Sequence, residues 1–137
     1  MSGISPLPFV LLTALLVCGC DNLRWKFKTG YWVRSSPAIS DGVVYFGSGD
    51  NNLYAVNAKT GQEKWKFKTE GMIDSSPAIS DGVVYVGSDD HNLYAVNART
   101  GQEKWKFKTG DDVESAPAIS DGVVYFGSDD HNLYALE

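Results

Sequence analysis

Trp65-Lys66-Phe67-Lys68-Thr69 is the middle one of three copies of a single phrase; the same residue types stand at 25–29 and 105–109, a step of 40 residues each time. Between 25–64 and 65–104, 31 of 40 positions are identical, and a third copy fills 105–137. Self-similarity at a fixed period of this length marks stacked supersecondary units, each able to bury its apolar face only against a neighbour. The phrase itself alternates. Trp65 and Phe67 interleave with Lys64, Lys66 and Lys68, so the strand buries one face and wets the other.

The rest of the repeat reads in the same way. In the second copy, 75–80 is a short first strand of small residues with Pro77 near its start, and Asp81-Gly82 is a turn. Val83 to Gly87 is β-branched and aromatic, a second strand. The polar stretch 88–92 turns the chain into a third strand, 93–97, and 98–101 turns it into the fourth, 103–108. Four antiparallel strands with short loops in about 40 residues make one blade of a β-propeller. The expected fold is therefore all-β, with about three blades, a partial propeller or half of an oligomeric ring. The small residues of the first strand suit a crowded axis, and the lysines of the fourth suit an outer edge that must refuse further pairing.

Composition agrees. Four Trp, seven Tyr and six Phe in 137 residues, with frequent Gly and Val, are β-rich usage. A net charge of −5 argues against a nucleic-acid footprint. No apolar run reaches the roughly 20 residues of a membrane-spanning helix.

The N-terminus follows different rules. Residues 7–17 are an apolar run of 11, the length of a signal-peptide h-region. Val17-Cys18-Gly19-Cys20 follows and resembles a bacterial lipobox. That resemblance implies removal of 1–19, lipid on Cys20, a short linker at 20–24 and an extracytoplasmic, membrane-anchored protein. The alternatives are a non-cleaved anchor or an ordinary apolar start, since residues 1–5 carry no Lys or Arg.

The segment from Tyr54 to Trp65, repeated from Tyr94 to Trp105, resembles the tryptophan-docking motif of pyrroloquinoline quinone (PQQ)-like propeller repeats, with Ala, Thr-Gly and Trp at fixed offsets. The resemblance covers 25–137 and implies blade docking through Trp25, Trp65 and Trp105, with Ala55, Ala95, Gly61 and Gly101 receiving them. The family includes quinoprotein dehydrogenases, which hold the quinone with calcium, an adjacent Cys-Cys pair and a catalytic Asp. It also includes non-enzymatic envelope scaffolds such as the outer-membrane assembly lipoprotein. A lipobox before the repeats and the lack of a Cys-Cys pair favour the second branch. The expectation is a non-catalytic envelope protein presenting a propeller surface to a protein partner, with neither PQQ nor a metal as cofactor. The alternative is a fragment or subunit of a PQQ-dependent oxidoreductase.

The ends of the repeat array are complementary. Residues 23–28 read as a fourth-type strand with no blade before it, and the blade of 114–137 lacks a fourth strand. Three blades fall below the usual four to eight. Two outcomes are expected: two chains close a six-bladed ring by exchanging 23–28, or the chain is part of a longer propeller. Closure within one chain, 23–28 completing 114–137, would be strained.

The copies differ mainly at 30–34, 70–74 and 110–114, and secondarily at Gly49/Asp89/Asp129 and Asn51/His91/His131. In a propeller these two loop types share one face, so that face is the candidate partner surface. Its candidate residues are Tyr31, Trp32, Arg34, Met72, Asp74, Asp111, Asp112 and Glu114. Tyr, Trp and Arg are the residue types enriched at interface anchors, and the acidic residues form a counterpart; relaxed loop drift is the competing explanation. Asp89-Asp90-His91 and Asp129-Asp130-His131 offer oxygen and imidazole to a divalent ion, but they also read as a polar hairpin turn copied with the repeat, which is the reading preferred here.

Overall fold

The computed structural model describes residues 22–137, so the signal-peptide and Cys20 lipidation expectations lie outside the described residues. Strands β1 (Ala38–Ser40), β2 (Val43–Gly47), β3 (Asn52–Asn57) and β4 (Glu63–Lys68) form one antiparallel sheet. Strands β5 (Ala78–Ser80), β6 (Val83–Gly87), β7 (Asn92–Asn97) and β8 (Glu103–Lys108) form a second. Strands β9 (Ala118–Ser120), β10 (Val123–Gly127) and β11 (Leu133–Leu136) form a third, of three strands, with β11 as an edge. These are the expected blades. The short inner strands β1, β5 and β9 approach one another in turn, which sets the blades around a common side.

The first strand of each blade is shorter than its run of small residues. In blade 2 it starts at Ala78, not at residue 75, because Ser75 is used otherwise: its hydroxyl donates to Ser115 O of blade 3 and accepts from Gly87 N. Entry to the strand is thus spent on joining blades.

Each junction is a layer of apolar side chains from two sheets. Between blades 1 and 2, Tyr45, Leu53 and Ala55 pack on Val84, Val86, Tyr94 and Val96, with Ile73 inserted from the connection β4–β5. Between blades 2 and 3, Leu93 packs with Val113, Val124 and Phe126. Gly47 and Gly87 explain themselves here. A Cβ on Gly47 would lie 2.1 Å from Ile73 Cγ2, and one on Gly87 2.3 Å from Val113 O. Blade-to-blade approach at these points leaves no room for a side chain.

Residues 23–28 correct an expectation. They belong to no strand, because a strand needs a ladder partner and none of the described sheets supplies one on that side. They do not complete blade 3 within the chain. Instead Trp25 and Phe27 lie on blade 1, against Phe46, Tyr54 and Val56.

Candidate protein-interaction face

Docking geometry comes first, because it aims the loops. Trp65 donates its indole N–H to Ala98 O of the next blade at 2.9 Å, and its ring covers Gly101, whose φ of +77° and absent Cβ both favour glycine. Trp25 repeats this on blade 1, donating to Ala58 O at 2.9 Å over Gly61. Ala55 and Ala95 sit elsewhere: they are the cross-strand partners of Trp65 and Trp105 within their own blades. Trp105 lies beside Tyr85 and, with Phe107, Leu136 and Glu137, borders an open cleft of about 240 Å³.

The two variable loop sets meet on one face. Gly49 N donates to Trp32 O, Asp89 N to Met72 O and Asp129 N to Asp112 O, all at 2.8–2.9 Å. Neighbouring blades are linked there too, through Ile73 N to Ser48 O and Val113 N to Ser88 O.

At blade 1 the face is aromatic and cationic. Tyr31 and Trp32 stack with centroids 3.9 Å apart, and the Arg34 guanidinium lies 3.9 Å over the Trp32 ring. Tyr31 and Trp32 are 52% and 36% exposed, so a preorganised flat surface faces solvent. Gly49 is coupled to this pair. A Cβ there would fall 2.8 Å from both rings, which accounts for glycine where the other blades carry Asp.

At blades 2 and 3 the face is acidic. Carboxylate oxygens of Asp74, Asp89 and Glu114 lie within 4.8 Å of one another, as do those of Asp112, Glu114 and Asp129. Burial, then the nearby charges of Asp112, Glu114, Asp74 and Asp129, push the Asp89 carboxyl up to about 6. Burial and the same crowding raise Asp112 and Glu114. His91 Nε2 sits 3.4 Å from Asp112 Oδ1 and 3.8 Å from Asp111 Oδ1, tying blade 2 to blade 3. Oxygen and imidazole donors at these spacings have the chemistry of a divalent-ion ligand set.

The Asp-Asp-His triplets therefore divide. The Asp90 carboxylate is engaged locally; it accepts from Tyr94 Oη, Asn92 and Glu70 N. Burial raises that carboxyl, but these hydrogen bonds outweigh burial and hold it below its ordinary value. Asp130 is held at about 2, first by Tyr134 and then by Gly110 N. The residue after each such Asp, Asn51, His91 or His131, has φ between 76° and 79° and closes the turn in the left-handed region. The turn reading holds for the second Asp, while Asp89, Asp129 and His91 lie beside Asp74, Asp111, Asp112 and Glu114 on the face that the two variable loop types were expected to share.

The opposite face carries a cleft of about 540 Å³ between blades 1 and 2, bordered by Asp41, Tyr45, Lys64, Asp81, Arg99 and Lys104. The loops around it repeat almost unchanged between the copies.

A family model described as outer membrane protein assembly factor BamB matches residues 20–74 and 66–137, nearly all of the chain. The chain belongs to this PQQ-like repeat family. Its fold is similar to that of BamB from Moraxella catarrhalis, with a TM-score of 0.73 and 22% identity over 82% of this chain and 36% of that one. It is also similar to the quinohemoprotein alcohol dehydrogenase ADHIIG from Pseudomonas putida HK5, with a TM-score of 0.67 and 27% identity over 76% of this chain and 18% of that one. The computationally designed protein Ika4 matches with a TM-score of 0.62 and 24% identity over 73% of this chain and 62% of that one. The chain thus spans about a third of the BamB structure and less of the dehydrogenase. Among curated proteins, none matches it.

Proposed function

We propose that this chain is a non-catalytic, lipid-anchored protein of the cell envelope whose variable propeller face holds a protein partner. One observation carries the reading: most of the positions that differ between otherwise repeated blades converge on one face, aromatic and cationic at blade 1 and acidic at blades 2 and 3. Such a face fits a partner of mixed charge with an apolar or planar element for the Tyr31–Trp32 stack. Membership of the BamB family agrees with envelope association and with protein contact.

Photo-crosslinking residues at 32 and 112, compared with 59 and 99 on the repeated face, test this. Discrete protein adducts from 32 and 112, lost with Arg34→Ala, are expected. Equal adducts from both faces would overturn the assignment. Incorporation of labelled palmitate, lost with Cys20→Ser, tests the anchor separately. The competing reading is a segment of a PQQ-dependent oxidoreductase, favoured by the 27% identity to the dehydrogenase. Retention of quinone absorbance on gel filtration with added PQQ and calcium would support that reading instead.

A further inference from the structure

We propose that the cleft on the repeated face, between blades 1 and 2, binds a small organic anion: a carboxylate that also carries hydroxyl or ammonium donors. The site is independent of the variable face and of any partner held there. Both blades that build it are complete four-stranded sheets.

The cleft has the dimensions of a ligand site and an unsatisfied donor in its wall. Its volume of about 540 Å³ falls inside the range of roughly 300–1,000 Å³ for small-molecule sites. Val43 and Tyr45 of β2, Val83 of β6 and Ala98 line it. Tyr45 is only 3% exposed, yet its hydroxyl has one weak partner. It donates to Ala98 O at 3.5 Å, the outer limit of a hydrogen bond. That carbonyl already accepts the Trp65 indole N–H at 2.9 Å. Burial, then the charge of Asp41, raises the Tyr45 hydroxyl above its ordinary value, so it stays protonated and remains a donor. A buried donor so poorly satisfied costs free energy until an acceptor reaches it. A ligand oxygen in the cleft supplies that acceptor.

Charge points to an anion. Lys64 of β4, Lys104 of β8 and Arg99 of the turn β7–β8 border the cleft. Among the described residues, none of these three side chains has an ion pair or a hydrogen bond. Lys66, Lys68, Lys106 and Lys108, on the same outer strands, do not border it. Residues 98–104 differ from 58–64 at one position: Arg99 stands where blade 1 has Lys59. The exchange keeps the charge and adds a planar fork that can hold both oxygens of a carboxylate. Asn97 Oδ1 accepts from Arg99 N and Thr100 N, which fixes the backbone that presents the fork.

Asp41 and Asp81, from the turns β1–β2 and β5–β6, also border the cleft and narrow the class of ligand. A bare anion such as phosphate would face two carboxylates. A carboxylate with hydroxyl or ammonium groups of its own brings donors to them, and Val43, Val83 and Ala98 accommodate its carbon frame. Sugar acids and amino acids are the two sources of that chemistry.

Saturation-transfer NMR on the full chain in mild detergent tests this, with D-glucuronate and L-glutamate as probes. Saturable transfer to either is expected. Glucuronate alone would assign hydroxyl donors, glutamate alone an ammonium, and both the carboxylate as the shared element. Arg99→Lys, a residue that blade 1 already carries at the equivalent position, should weaken that binding about tenfold with an unchanged melting temperature. Tyr45→Phe should weaken it several-fold, and Lys66→Ala should leave it unchanged. No saturable binding of either probe, binding indifferent to both Arg99→Lys and Tyr45→Phe, or equal competition by inorganic phosphate would overturn the proposal.

Discussion

Leu93 and Leu133 sit in the same sentence of sequence, Asn-Leu-Tyr-Ala, yet one is fully buried and the other 77% exposed. Both strands pair their preceding strand, β6 or β10, in the same register, but β7 also pairs β8, with Leu93 opposite Phe107, whereas β11 is an edge. The difference lies in the neighbours: the fourth strand beside Leu93 and the blade that covers its sheet. In a repeat array, local sequence makes the blade, and the neighbour makes the core.

That contrast is open to mutation. Leu93→Ala should cost about 2–5 kcal/mol in urea unfolding, the range for a buried leucine that leaves a cavity. Leu133→Ala, at an exposed side chain, should cost no more than about 0.5 kcal/mol. Equal losses would mean that the blade, not the junction, holds the stability. The glycines give the next largest separation. Gly87→Val drives a side chain into Val113 O and should cost about 1–3 kcal/mol or more; Gly127→Val should leave single-chain stability nearly unchanged.

Trp65→Phe and Trp25→Phe sharpen the comparison from the other end. Each removes one indole hydrogen bond to a carbonyl, worth about 0.5–1.5 kcal/mol. Similar losses are expected although Trp25 lies outside any strand, because docking needs the next blade and not a ladder. A loss confined to Trp65→Phe, in thermal melts of the two variants, would separate docking from strand pairing.

The smallest effect contrasts two adjacent carboxylates. Asp89 is pushed up to about 6 in the folded protein, so its ionisation there weakens the fold. Stability should rise as pH falls from 7 through about 6 toward the ordinary carboxylate range, by no more than about 1 kcal/mol at this partly solvated site. Asp89→Asn should reduce that rise to the part that Asp112 and Glu114 supply. Asp90 and Asp130 act with the opposite sign. Their stabilisation is present above the ordinary carboxylate value and is lost as pH falls below it, for Asp130 toward about 2. Melting temperatures of wild type and Asp89→Asn from pH 7 to 3 would check both signs.

Period and alternation made the blades legible, because a strand with one wet face repeats every second residue whatever surrounds it. The turn at 98–101 was legible from its own residues, whereas the seating of Trp65 over Gly101 followed only from the family resemblance. Residues 23–28 read as a strand because alternation reports a sheltered face, and Trp25 and Phe27 are indeed half-buried on blade 1, but alternation does not report a ladder partner. Gly47, Gly87 and Gly127 carried no local signal; only the close approach of the next blade distinguishes them. On the variable face, Tyr31, Trp32 and Arg34 were found by comparing copies. The same comparison placed Asp89 and Asp129 on that face, through their substitution for Gly49, but the carboxylate clusters they form with Asp74, Asp112 and Glu114 were not legible, because the loops of successive blades assemble them only on packing.

The most direct measurement is hydrogen exchange of residues 22–137, with β7 and β11 followed side by side. If the neighbouring blade makes the core, β7 will be protected and β11, whose Leu133 is 77% exposed, will exchange rapidly. Equal protection of the two strands would contradict that claim.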